Sequence, residues 1–221
     1  GTDYKRPSLG GCTFEQMNNS DPGDCRFLPG YDFVDQDYDP MDEIHGTHVA
    51  GILGANGPNI TGVAPGVKMR SYRVCDSGCR TSDVIAAVQR AMDPDNDGDT
   101  SDHVDIIQMS LGGPGYPSGV MSQVVNEATE VGVISVISAG NSGSLSETVD
   151  SPAAARTSLA VGSVNDDDQL NQFSSRGPQK VKNSTELLMK PEISAPGYKI
   201  NSTYGANFTE ISGTSMAAPH V

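Results

Sequence analysis

Tryptophan is absent from the 221 residues, and the other aromatics make up only 5% of the chain. A core must therefore come from small and branched aliphatic residues, and the 25 glycines mark a turn-rich fold. Basic residues are also scarce: 14 Lys and Arg against 28 Asp and Glu leave a formal net charge of −14. Such a surface repels polyanions, which excludes nucleic acid as a partner and suits a soluble protein that holds cations. No apolar run approaches the roughly 20 residues that cross a bilayer, so no membrane partner is expected. The length suffices for one large core, and a single domain is expected over 1–221.

The four cysteines lack the C-x-x-C spacing and neighbouring histidines of a zinc site. They fall instead into two local pairs, Cys12 with Cys25 and Cys75 with Cys79, each compatible with a disulfide. A bridge closing the longer loop would contribute roughly 3 kcal/mol in the chain-entropy model. Glycosylation tripeptides begin at Asn18, Asn59, Asn183, Asn201 and Asn207. Cystine pairs and sequons together imply an oxidising, secreted compartment.

Residues Gly1 to Gly30 read as a polar surface loop, and Asp35 to Glu43 as an acidic run on a solvated one. Beyond them strand and helix patterns alternate. Tyr31–Val34, Val67–Val74, Val104–Leu111, Val131–Ala139, Ser158–Val164 and Glu192–Ser194 read as strands. Ile44–Gly54, Ser82–Met92 and Met121–Glu130 read as helices. That order is the grammar of an α/β protein with a parallel sheet covered on both faces, where chemistry gathers at the carboxyl ends of strands. Ser110 and Asn141 fall at such ends.

Three stretches hold candidate chemistry. In Asp93-Pro94-Asp95-Asn96-Asp97-Gly98-Asp99-Thr100-Ser101-Asp102, alternate carboxylates with glycine sixth match the first half of an EF-hand loop. Val104 replaces the twelfth-position Glu, so the loop is not a full EF-hand. Calcium held by Asp93, Asp95, Asp97, Asp99 and Asp102 stands against an acidic turn with no ion. In His45-Gly46-Thr47-His48 the histidines are three apart rather than four and lack the intervening Glu of a helical zinc motif, so one imidazole facing a cleft is the better reading. In Gly213-Thr214-Ser215-Met216-Ala217-Ala218-Pro219-His220, small residues clear space around a hydroxyl at a helix start, and a first-turn proline sacrifices only an unused N–H. Ser215 is there either a nucleophile or a helix cap.

Taken together, His45-Gly46-Thr47-His48-Val49-Ala50-Gly51, Ser138-Ala139-Gly140-Asn141 and Gly213 through His220 resemble the subtilisin-like serine proteases. Tyr31–Val34, Gly62–Pro65, Met109–Gly113 and Phe173–Pro178 extend the likeness over nearly the whole chain. The resemblance implies a three-layer α/β fold, with a mostly parallel sheet and helices on both faces. It implies a monomeric endopeptidase acting on polypeptide substrates, with Ser215 as nucleophile, His45 as general base and His48 as a structural residue. Asn141 would donate to the oxyanion alongside the Ser215 amide, while Ser110, Leu111, Gly112, Ala139 and Gly140 would bind the substrate. Asp150, where the family places the floor of the specificity pocket, would favour a basic residue before the cut bond.

The family also orients its histidine with an aspartate in an Asp-Thr-Gly or Asp-Ser-Gly turn. Gly1 matches the glycine of that turn, which places the aspartate two positions ahead of the chain; Asp3, Asp32 and Asp35 are out of register. The chain is therefore expected to be the middle of a peptidase domain. The aspartate and the end of the nucleophile helix would lie outside it, and these residues alone would be inactive. The α/β-hydrolases are a poor alternative, since Ala217 breaks Gly-x-Ser-x-Gly and their histidine follows the serine. A non-catalytic secreted calcium-binding glycoprotein that keeps the fold is the other reading.

Overall fold

The computed structural model describes residues 1–19, 23, 25–41 and 44–221. Asp42 and Glu43, at the end of the acidic run, lie outside the described residues, as does Ser20 of the sequon at Asn18. The chain forms two compact units, one of Gly1–Asp83 with Asn201–Glu210 and one of Val84–Ile200 with Ile211–Val221.

The first unit holds α1 (Phe14–Met17), β1 (Phe27–Asp32), α2 (His45–Gly54), the short strands β2 (Asn56–Gly57) and β3 (Ile60–Thr61), and β4 (Met69–Arg73). Strands β1 and β4 pair in parallel, and β2 pairs antiparallel with β3. The second unit takes most of α3 (Thr81–Met92), then β5 (Ile106–Met109), α4 (Val120–Glu130), β6 (Ile134–Ser138) and β7 (Leu159–Val164). It continues through β8 (Gln179–Lys180), β9 (Leu187–Leu188) and β10 (Ile193–Pro196). The chain returns to the first unit for most of β11 (Ile200–Tyr204) and β12 (Asn207–Ile211), which pair with each other, and ends in α5 (Thr214–Ala217) in the second.

Contrary to its reading as a surface loop, the first 30 residues hold a core. Tyr4, Leu9 and Met17 are fully buried and pack with Phe27, Cys12, Cys25, Ala50 and Ala55. The segment is polar on average, but most of its few apolar side chains pack together, with Phe14 left exposed. The Cys12–Cys25 bridge closes that cluster, and Cys75–Cys79 forms the second disulfide. Thr13 caps α1 in a reciprocal box with Gln16.

Helix α2 is buried on nearly every turn because its neighbours are small. A Cβ on Gly51 would collide with the hydroxyls of Ser202 and Thr203 on β11. With glycine there, those hydroxyls donate to the carbonyls of His48 (2.8 Å) and Thr47 (2.6 Å).

In the second unit β10, β7, β6 and β5 form one parallel sheet in that order. Val136 and Ile137 of β6 and Ala160 and Val161 of β7 are buried in succession, as strands covered on both faces require. Helix α4 packs on β6, and α5 packs on β6, β7 and β10. Ala217 and Ala218 sit against Val136, Val161 and Ala195, so the short α5 approaches the sheet closely. The carboxyl ends of the neighbouring strands β5 and β6 lead into Ser110-Leu111-Gly112 and Ala139-Gly140-Asn141, which places both segments on one rim of the sheet.

The buried N-terminal core makes a direct forecast. Replacing Leu9 by Ala should destabilise the protein by about 2–5 kcal/mol, the usual cost of a fully buried leucine, measured from the urea midpoint. A surface loop would show almost no change.

Candidate active site

Ser215 lies in the single turn of α5, which begins at Thr214 as the sequence implied and passes into a 3-10 turn over Ala218–His220. So short a helix has little macrodipole, and local hydrogen bonds set the polarity around the serine. Thr214 N–H donates to Asn141 Oδ1 (2.9 Å), and the Met216 and Ala217 amides share the Gly213 carbonyl. Among the described residues the Ser215 N–H has no acceptor within the protein. The half-buried Ser215 Oγ lies 3.4 Å from the Ser110 carbonyl, while Ser110 Oγ donates to the Ser215 carbonyl at 2.6 Å.

Asn141 is exposed, yet its carboxamide oxygen is held twice, by Thr214 N–H and by the Thr214 hydroxyl at 3.1 Å. With the oxygen so engaged, Nδ2 is the end of the amide left to serve a ligand. Thr214 also accepts from the Gly140 amide through Oγ1 at 3.1 Å. This orienting role is invisible in the sequence, where Thr214 reads only as a helix start and lies 73 residues from Asn141.

Asp150 is stitched between the segments that follow β5 and β6. Its amide donates to the Ala139 carbonyl at 2.9 Å, and the next residue, Ser151, exchanges hydrogen bonds with Gly113 at 2.9 and 3.1 Å. Its side chain turns inward: a Cβ on Gly112 would lie 3.0 Å from the Asp150 Cβ, and one on Gly140 would collide with the carboxylate. Gly140 also has φ +107°, a conformation that side chains rarely adopt. Burial pushes the Asp150 carboxyl above the ordinary carboxylate range, with no cation or donor among the described residues offsetting it.

His45 and His48 share a helix but not an environment. His48 is fully buried, and its Nε2 donates to the Thr209 carbonyl at 3.0 Å, the structural role implied for it. His45, the first residue of α2, is exposed. Its turn is pinned by the start of the chain: Asp3 N–H donates to Thr47 Oγ1 at 2.7 Å, and Gly1 packs directly on Gly46. Asp32 is buried and holds Arg73 at 2.6 Å as well as the Val34 and Asp35 amides, and Asp35 also bonds Arg73. Both carboxylates are committed to structure. Ser215, Asn141, Ser110, Gly112, Gly140 and Asp150 thus gather in the second unit, and His45 belongs to the first.

In the acidic loop, carboxylate oxygens of Asp93, Asp95 and Asp102 lie within 4.8 Å of one another. Asp97 and Asp99, also candidate ligands, fall outside that group; their carboxylates accept from the Asp99 and Ser101 amides. Asp93 and Asp95 also accept loop amides, from Asp97 and Gly98, so the carboxylates shape the turn throughout.

The Subtilase family profile matches residues 3–221. The chain belongs to the subtilase family. It is 37% identical to subtilisin DY of Bacillus licheniformis over 206 residues, covering 90% of this chain and 68% of that protein. It is 36% identical to a thermophilic serine proteinase of Bacillus sp. (strain AK1), covering all of this subtilase chain but 48% of that one, about half its length. The crystal structure of a cold-adapted subtilisin-like serine proteinase overlays with a TM-score of 0.71 at 32% identity, covering 95% of this chain and 68% of the other. The α/β fold is therefore the subtilisin-like one.

The subtilase's uncompensated Asp150 has a measurable consequence. Its folded-state pKa is raised, so over the window from the ordinary carboxylate range upward the folded protein binds more protons than the unfolded chain, and stability falls as pH rises. Asp150→Asn should melt above the parent at pH 7, and the difference should close as pH drops through the carboxylate range to about 3. A lower melting temperature for the variant at pH 7 would contradict this account of the carboxylate.

Proposed function

We propose that the protein is a secreted serine endopeptidase that cleaves polypeptides after basic residues through an acyl-enzyme on Ser215. The observation that carries the reading is the Asn141 carboxamide, held by its oxygen to Thr214 beside Ser215 so that Nδ2 and the Ser215 N–H are two uncommitted donors. Two such donors suit the negative charge that builds on a carbonyl oxygen under attack. His45 takes the serine proton and returns it to the leaving amine. The N-terminal segment steadies the His45 turn, since Gly1 packs on Gly46 and Asp3 N–H donates to Thr47 Oγ1.

Asp150 sets the preference. A half-buried carboxylate walled by Gly112 and Gly140, with burial raising its pKa, is stabilised by an arriving guanidinium or ammonium and by nothing apolar. Secretion is supported by the two disulfides and by the sequons, of which those at Asn59, Asn183, Asn201 and Asn207 are exposed. The full-length protein should cleave peptides with Arg before the cut bond at least about tenfold faster in kcat/KM than Phe analogues, since one desolvated charge pair exceeds a factor of ten. Ser215→Ala should abolish both activities. Preference for Phe would overturn the assignment of Asp150, and activity surviving in the Ser215 variant would overturn the nucleophile.

Calcium has a structural role in this reading. Asp93, Asp95 and Asp102 offer only hard oxygen donors, which suit Ca²⁺. The Asp95 carboxyl is raised by desolvation and then by the charges of Asp97, Asp102 and Asp93, a repulsion that a bound cation would relieve. Adding a chelator should lower the melting temperature by several degrees, and calcium but not magnesium should restore it. An unchanged melting curve would remove calcium from the protein.

A further inference from the structure

One family-like stretch, Phe173-Ser174-Ser175-Arg176-Gly177-Pro178, has no role in the chemistry so far, although it lies directly behind the Asn141 turn. Gly143 N–H donates to the Phe173 carbonyl at 2.9 Å. Ser175, fully buried, makes two contacts that straddle Asn141. Its amide donates to the Gly140 carbonyl at 3.0 Å, and its hydroxyl accepts from the Ser142 amide at 3.1 Å. The residues before and after Asn141 are thus tied to one serine, while Thr214 holds the Asn141 side chain from the other end. On the Asp150 side of Gly140, Ser175 Oγ would lie 2.9 Å from a Cβ, so the same hydroxyl also abuts the turn that meets the pocket carboxylate.

The geometry points to Ser175 as a positioning residue for the reaction. It fixes the backbone of the Gly140-Asn141-Ser142 turn and so holds Asn141 Nδ2 in place, an inference that rests on Asn141 being the oxyanion donor. Thr214 alone leaves the turn free to swing about the side chain, because it grips the carboxamide and the Gly140 amide but nothing beyond Asn141. The Ser175 hydroxyl closes that far side at the residue next to Asn141, with the Gly143–Phe173 bond one residue further on. Removing it strands the Ser142 N–H and lets the exposed Asn141 shift. Displacements well under 1 Å are enough to weaken a donor aimed at a developing charge.

The test is a double-mutant cycle in the full-length protein, with kcat and KM measured on an Arg-containing peptide and melting temperatures in parallel. Ser175→Ala should lower kcat about tenfold while KM changes less than about twofold, and Asn141→Ala should lower kcat by about 10²–10³. In the Asn141→Ala background, Ser175→Ala should cost less than about twofold further, since its effect passes through the missing amide. Ser175→Cys, nearly the same size but a weak acceptor, should fold normally and lose several-fold in kcat, which separates positioning from packing. A full tenfold loss in the Asn141→Ala background would overturn the proposal, as would a Ser175→Cys enzyme with unimpaired kcat. If Asn141→Ala itself left kcat unchanged, the oxyanion assignment would fall and this inference with it. Peptide cleavage abolished by Ser215→Ala would still stand as the separate measure of the protease reading.

Discussion

The hydrogen bonds that tie the Asn141 carboxamide to Thr214 hold the candidate site in register. They join the end of β6 to the start of α5, two elements distant in sequence that meet only because both rest on the same parallel sheet. The carboxamide oxygen is spent on the protein, which leaves Nδ2 uncommitted among the described residues. The Ser110 hydroxyl ties the Ser215 carbonyl to the end of β5, so two adjacent strands anchor the serine turn from below. With so little helix beneath Ser215, these bonds supply the rigidity that a longer element would bring by itself.

Around this anchor the second unit accepts a destabilising feature. Asp150 is drawn inward by main-chain bonds to Ala139 and, through Ser151, to Gly113, and its carboxylate loses water without gaining a partner. Glycines at 112 and 140 make the room. A half-buried carboxylate with no partner among the described residues costs stability at neutral pH. Lys190 shows the contrasting case in the same unit. Burial lowers its pKa, but its ammonium reaches the Ser158 carbonyl at 2.8 Å and the Glu192 carboxylate at 2.7 Å, so the charge is answered within the fold.

Much of the fold could be read from periodicity. The alternation of strand and helix from Val67 to Val164 matches β4 through β7 to within a few residues at each end, and both disulfide pairs follow from local spacing. The N-terminal 30 residues were misread because a few well-placed apolar side chains can build a core that average polarity hides. The two-residue strands of β2–β3 and β8–β9 are too short to show alternation, and the β11–β12 pair lies in a polar, sequon-bearing stretch without an apolar run to mark it.

Sequence by itself determined a parallel α/β framework and family membership, and it singled out His45, Asn141 and Ser215, in that order, as candidates. Those features are legible because each depends on residue type within a short motif that packing does not alter. Only the tertiary structure decided their settings. It buried His48 and left His45 exposed, turned Asp150 inward, grouped Asp93, Asp95 and Asp102 without Asp97 and Asp99, and brought Thr214 and Ser175 to the Asn141 turn. The physical reason is that burial and hydrogen-bond partnership are properties of pairs of residues, and the pairs here are formed by the sheet rather than by proximity along the chain.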